Sequence, residues 1–205
     1  MTEIRPVAPA EAAATPFDTS ADARGLLARY LDAFPTERDR QARLGRQLAT
    51  DAAIGLRHNM AGHLTSGALV LSPDGRRVLL VEHVFLRRWL APGGHYEAPG
   101  TLLDSALREV LEETGTPAQA HPWTCERGIP LDIDTHDIPT RPQKAEGPHV
   151  HHDFLFVAAA NDRVPPRPQA GEVHAARWLP LQVLAEVDDE RARRVHAKLK
   201  VLGLA

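Results

Sequence analysis

The stretch from Pro92 to Thr116, PGGHYEAPGTLLDSALREVLEETGT, constrains this chain more than any other. Its second half carries the punctuation of a single helix. Thr101 and Asp104 form a T-x-x-D capping box, and Gly115 stands where a helix ends. Leu103, Ala106, Leu107, Val110 and Leu111 recur at three- and four-residue intervals, which predicts one buried face. Glu109, Glu112 and Glu113 are expected on the opposite side. Like charges at such spacings oppose a helix by about 0.2–0.5 kcal/mol per pair, and only Arg108 is near enough to separate them. A bound cation would turn that repulsion into coordination, because carboxylate oxygens are the ligands that hard divalent ions prefer. Upstream, Pro92-Gly93-Gly94 lets the backbone approach the same place, so a carbonyl there can add a ligand.

The stretch resembles the Nudix box, G-x5-E-x7-R-E-U-x-E-E-x-G-U, where U is bulky and aliphatic. Gly94 takes the first position, and Arg108-Glu109-Val110-Leu111-Glu112-Glu113-Thr114-Gly115 matches the second half at every fixed position. Two positions depart. Strict counting puts Gly100 at the first Glu (Thr101 if the glycines are aligned instead), and Thr116 replaces the final aliphatic residue. The resemblance implies an α/β fold, the Nudix α/β/α sandwich with a mixed sheet. It also implies divalent-metal hydrolysis, with Mg²⁺ or Mn²⁺, of a nucleoside diphosphate linked to another group. By residue, it implies metal ligation by Glu109 and Glu113, assisted by Glu112 and the Gly94 carbonyl, with Arg108 orienting the carboxylates. Glu172, ahead of the last expected strand, resembles the position from which many such enzymes supply a distal Glu, as ligand or general base. The missing first Glu bears on loop-to-helix support, a role for which Glu97 is a candidate substitute.

The chain has 205 residues, 43% hydrophobic and 25% charged, enough for one domain with a core and an appendage. A net charge of −3 with acids and bases interspersed lacks the basic footprint of a nucleic-acid binder. Cys125 is the single cysteine, so no internal disulfide forms. With no signal peptide and no apolar run approaching eighteen residues, the expectation is a cytoplasmic protein that does not engage a membrane.

Three regions are expected: an Ala- and Pro-rich arm at 1–19, a helical hairpin at 20–58, and the Nudix domain proper at 59–205. Ser20 is the expected N-cap of a helix from Ala21 to Phe34 with Leu26, Leu27, Tyr30 and Leu31 as its stripe. A second helix is expected from Thr36 to about Ala53. The hairpin can pack on the domain, shape the pocket or make a homodimer contact; the residues do not choose among these. Strands are expected at Leu64–Leu71, Val78–His83, Trp89–Ala91, Trp123–Cys125, Leu131–Ile133, Val150–Ala160 and Val173–Leu179. Helices are expected after Pro180 and from Asp189 to Leu202.

A second constellation lies at His136, His149, His151, His152 and Asp153. His149, His151 and Asp153 alternate, so an extended chain puts them on one face, and an antiparallel partner strand would bring His136 to them. Lys144 lies in the joining loop. The cluster reads as a substrate surface, with imidazoles and Lys144 donating to phosphate oxygens; as a separate transition-metal site, since His/Asp sets suit Zn²⁺ or Fe²⁺; or as polar cross-strand packing. His95, in the box loop, is a further candidate substrate contact. Three activity classes remain open: hydrolysis of a small-molecule diphosphate, a ligand sensor that has lost turnover, and isomerisation of an isoprenoid diphosphate, which needs a Cys and Glu pair that only Cys125 could supply.

Overall fold

A computed structural model describes residues 18–84, 87–97, 99–140, 146–169, 171 and 173–204. In chain order the elements are α1 (Thr19–Ala33), a short 3-10 turn (Pro35–Glu37), α2 (Ala42–Thr50), β1 (His63–Leu71), β2 (Arg77–His83), β3 (Trp89–Leu90), β4 (Gly93–His95), α3 (Leu102–Thr114), β5 (Gln119–Ala120), α4 (Pro122–Arg127), β6 (Asp132–Ile138), β7 (His149–Ala159), β8 (Val173–Pro180), α5 (Val183–Glu186) and α6 (Glu190–Val201).

Strand β1 is the axis of one mixed sheet. It is buried along its whole length. It runs parallel to β7, from His63↔His151 to Leu71↔Ala159, and antiparallel to β2 and β4. The parallel pairing requires a long crossover, and α3 supplies part of it. β6 and β5 border β7, while β8 and β3 border β2. Helices cover both faces, as an interior parallel pair demands. Alternation along β1 divides the core. Leu64, Ala68 and Val70 pack with α1, α2 and α3 through Leu27, Tyr30, Leu44, Ala106 and Val110. Leu69 and Leu71 pack with α5 and α6 through Leu184, Val195 and Leu199. The α/β/α sandwich with a mixed sheet and an N-terminal helical addition is therefore present.

Several expectations shift. α1 starts at Thr19, because Asp18 and not Ser20 is its N-cap: the Asp18 carboxylate accepts the Ala21 N–H at 3.0 Å, and the Ser20 hydroxyl is itself bonded to Asp18. The second helix is not continuous from Thr36 to Ala53; a 3-10 turn and a bend precede α2. The cause is tertiary: the Arg40 and Gln41 side chains are drawn onto the Ile133 carbonyl of β6, at 2.6 and 2.7 Å. Trp123-Thr124-Cys125 is helical, not a strand. Pro122 opens α4, His121 accepts the Trp123 N–H, and Gly128 closes it at φ 61°, the proline-first, glycine-last order of a helix. Cys125 is exposed there and not part of the core. Pro180 ends β8 instead of opening a helix, on a strand end where its missing N–H is harmless. His136 lies within β6, which extends beyond the expected Leu131–Ile133 strand to Ile138. Residues 1–17, with most of the expected arm, lie outside the described residues, as do Lys144 and Glu172.

The N-terminal helices are fastened to the rest by charge as well as by apolar contact. Fully buried Asp132 pairs with Arg40, Arg191, Arg194 and Lys198. Lys198 also pairs with Glu37, which accepts from the Tyr30 hydroxyl. Burial alone would raise the Asp132 carboxyl; the surrounding Arg194, Arg191 and Lys198 reverse that and hold it well below the ordinary carboxylate range.

Candidate functional site

Helix α3 is held at both ends. The Thr101 hydroxyl accepts the Asp104 N–H at 3.1 Å while the Asp104 carboxylate accepts the Thr101 N–H at 2.9 Å, and Gly115 closes the helix in the left-handed region. The N-terminal addition contributes too: the Asp22 carboxylate of α1 accepts the Leu102 N–H at 3.0 Å. The loop-to-helix junction thus has carboxylate support, although the box lacks its first Glu and Glu97 is exposed, 3.7 Å from Arg108.

The buried stripe of α3 is not the expected one. Leu102, Ser105, Ala106, Glu109, Val110, Glu113 and Thr114 face inward, Leu103 and Leu107 are partly buried against the core, and Leu111 is 51% exposed. Glu109 and Glu113 are therefore buried beside the apolar residues, at 9% and 7% exposure, not on an opposite solvated side. The reason is β4, whose glycines leave room for them. A Cβ on Gly94 would lie 2.6 Å from the Glu109 carboxylate, and the Gly93 N–H donates to Glu113 Oε2 at 3.0 Å. Arg108 donates to Glu109 Oε1 at 2.9 Å and to Glu112 Oε2 at 2.6 Å, tying the two carboxylates together. Burial, opposed by Arg108 and reinforced by Glu112, pushes the Glu109 carboxyl up to about 7.

These carboxylates border a cavity of about 900 Å³ that is also lined by Gly67 of β1, Arg191 of α6, and His95, His136, His151 and Asp153. The second constellation therefore opens into the same space as the box. His136 pairs across the strands with His151, as expected for antiparallel neighbours. Its Nδ1 lies 3.1 Å from the Asp134 carboxylate. Asp153 is engaged elsewhere, accepting from the Thr65 hydroxyl at 2.8 Å and from Arg191 at 2.6 Å. His149 is buried, does not line the cavity, and meets His151 at 3.1 Å between Nε2 atoms. His152 points to the opposite face, between Thr135 and Gln47 at 2.9 Å each. Burial first, then the neighbouring imidazoles, push His151 down to about 2. Arg88 is paired with Asp189. Cys125 is not among the cavity residues.

Sequence reasoning passed over His63. It stands at the head of β1 opposite His151, its ring 4.8 Å from that of His151 and 5.0 Å from that of His149. Nothing local distinguishes His63 from any strand-opening residue; only the parallel β1–β7 pairing shows its neighbours.

A family model of the NUDIX domain matches residues 62–199, most of the chain. The chain belongs to the Nudix family. Among its curated relatives are the "Probable DHNTP pyrophosphohydrolase" of Lactococcus lactis subsp. cremoris, 35% identical over 46% of this chain and 52% of that protein, and the human "m7GpppN-mRNA hydrolase NUDT17", 30% identical over 70% of this chain and 43% of that one. The chain spans about half the length of these relatives or less. A solved Nudix hydrolase from Clostridium perfringens shares the fold at a TM-score of 0.52 and 21% identity, covering 68% of this chain and 97% of that one. Helix α1 and the turn and helix after it precede the matched Nudix segment.

Proposed function

We propose that this protein is a divalent-metal-dependent hydrolase that cleaves a phosphoanhydride bond in a nucleoside diphosphate derivative or similar small molecule. The observation that carries this reading is the burial of Glu109 and Glu113 against a side-chain-free Gly93-Gly94 edge at the wall of a large cavity. Two inward acids beside a third, Glu112, with Arg108 paired to Glu109 and Glu112, leave negative charge that fits a hard cation. Glu109, Glu112 and Glu113, with the Gly94 carbonyl, are the groups that would hold Mg²⁺ or Mn²⁺. Bound there, such an ion supplies neutralisation of phosphoryl oxygen charge and a more acidic water.

The chain's own groups do the rest. Arg108 fixes the spacing of Glu109 and Glu112, so that neither has to reorganise when a diphosphate arrives. Glu112, half exposed at the cavity, and Glu172 are the candidates for taking the proton of the attacking water. His95, His136, His151 and Asp153 border the same cavity and are the candidates for the substrate side of the pocket, where imidazole N–H groups would donate to phosphate or base atoms; Lys144 is a further candidate from the sequence. The likeness to relatives named as a probable DHNTP pyrophosphohydrolase and an m7GpppN-mRNA hydrolase supports a substrate that carries a phosphate chain.

The test is a phosphate-release screen across nucleotide sugars, dinucleotides, nucleoside triphosphates, pterin triphosphates and coenzymes, with Mg²⁺ or Mn²⁺, run beside Glu113→Gln. Wild type should release orthophosphate or a monophosphate. The variant should be slower by about 10²-fold or more, the usual cost of removing a group that stabilises transition-state charge. Tight binding of a phosphate ligand by wild type with no product from any compound would replace the hydrolase by a sensor.

A further inference from the structure

Three buried imidazoles gather where β1 and β7 begin. The ligand nitrogens of His63, His149 and His151 all lie within 4.8 Å of one another. Two of the rings have their tautomer set by the backbone. His63 Nδ1 lies 3.1 Å from the Asn59 carbonyl oxygen, and His149 Nδ1 lies 2.8 Å from that of Gly147. A carbonyl oxygen only accepts, so each Nδ1 carries a proton and Nε2 is the nitrogen left to act as a ligand. His63 is 1% exposed, and among the described residues nothing donates to its Nε2. His149 Nε2 faces the Nε2 of His151 at 3.1 Å. A buried acceptor left without a donor costs about 1–3 kcal/mol, and His63 Nε2 is such an acceptor, within 4.8 Å of the ligand nitrogens of His149 and His151.

We propose that His63, His149 and His151 form a three-histidine site for a borderline divalent ion, Zn²⁺ foremost, distinct from the carboxylate site on α3. An ion about 2.0–2.1 Å from each nitrogen in tetrahedral geometry requires nitrogens roughly 3.3–3.4 Å apart. The His149–His151 separation is already close to that, and the His63 nitrogen, within 4.8 Å of both, has to move in to complete the set. Carbonyls behind His63 and His149 are the outer partners that orient metal-bound imidazoles and raise their basicity. Ligand type sorts the ions: three nitrogens select Zn²⁺ and its neighbours, whereas the all-oxygen set of Glu109, Glu112 and Glu113 selects Mg²⁺ or Mn²⁺. His151 borders the cavity, so the fourth position opens toward it and is available to a water or to an oxygen of a bound anion. This site stands on its own geometry and does not depend on the hydrolase reading.

The experiment uses full-length protein without a polyhistidine tag, stripped with a chelator and titrated with Co²⁺ in excess Mg²⁺. Wild type should show the intense visible bands of tetrahedral Co²⁺, saturating at one ion per chain and bleached by Zn²⁺. X-ray absorption of the Zn²⁺ form should show imidazole scattering. His63→Asn and His149→Gln should each weaken Co²⁺ binding by about 10-fold or more, while Glu113→Gln should leave the bands unchanged. Absence of the bands in wild type, or bands that vanish in Glu113→Gln and survive in His63→Asn, would overturn the site. If either histidine variant fails to fold by circular dichroism, the wild-type spectrum and its response to Glu113→Gln still decide. A protein that fails every hydrolysis screen yet shows these bands would lose the hydrolase reading and keep the metal site.

Discussion

Gly94 and Glu109 are one structural unit. Because a Cβ on Gly94 would meet the Glu109 carboxylate at 2.6 Å, Gly94→Ala should move that flexible side chain, not the backbone. The expected outcome is a folded protein whose Mg²⁺ or Mn²⁺ affinity, followed by calorimetry, falls by about 10-fold or more, the cost of disturbing a ligand's surroundings. The contrast is Gly93, where a Cβ would strike the Gly67 Cα at 2.7 Å: Gly93→Ala meets backbone and should cost stability instead. Glu109 also has a pH signature. Its folded-state carboxyl is raised from 4.5 to about 7, so between those values the folded chain holds more protons than the unfolded one. The Glu109 contribution to stability without metal therefore falls as pH rises through that window, opposite in sign to that of the depressed imidazoles. Urea melts in a chelator at about pH 5 and about pH 8 should show wild type losing stability relative to Glu109→Gln as pH rises. Equal pH dependence in both would remove Glu109 as its source.

At the scale of elements, α2 is joined to β7 by one polar bridge. His152 Nε2 donates to Gln47 Oε1, whose amide nitrogen donates to the Gly62 carbonyl at 2.8 Å. Burial, then the nearby Arg43, push His152 from 6.5 down to about 4. This is a depressed base: the unfolded chain takes the proton first, so the bridge contributes fully above 6.5 and its contribution is lost as pH falls toward 4. Gln47→Ala strands the His152 N–H and the Gly62 carbonyl, and should destabilise the protein by about 1–3 kcal/mol in denaturant melts at neutral pH. The same elements show what local signals carry. The capping box and closing glycine of α3 were readable because they act within four residues. α4 differs from the expected strand because Pro122 and Gly128 set a helix start and stop around Trp123-Thr124-Cys125.

For the whole molecule, Asp132 joins four basic side chains from both faces of the sheet: Arg40 after α1, and Arg191, Arg194 and Lys198 on α6. Removing one partner from a buried ion network leaves the others uncompensated. Asp132→Ala should therefore destabilise the protein by about 3–5 kcal/mol, with the N-terminal helices the first to lose hydrogen-exchange protection. A change below about 1 kcal/mol, the range of surface pairs, would show that the network is solvated in solution. From residue order alone one could read the acidic helix, its caps, the longer strands and the alternation of His149, His151 and Asp153, since each depends on periodicity within a few turns. Folding alone could turn Glu109 and Glu113 inward against β4, bring His63 beside His149 and His151, and gather four cations onto Asp132. Those arrangements depend on pairings such as Thr65 with Asp153, 88 residues apart, and side-chain periodicity carries no information about which distant strand will lie alongside.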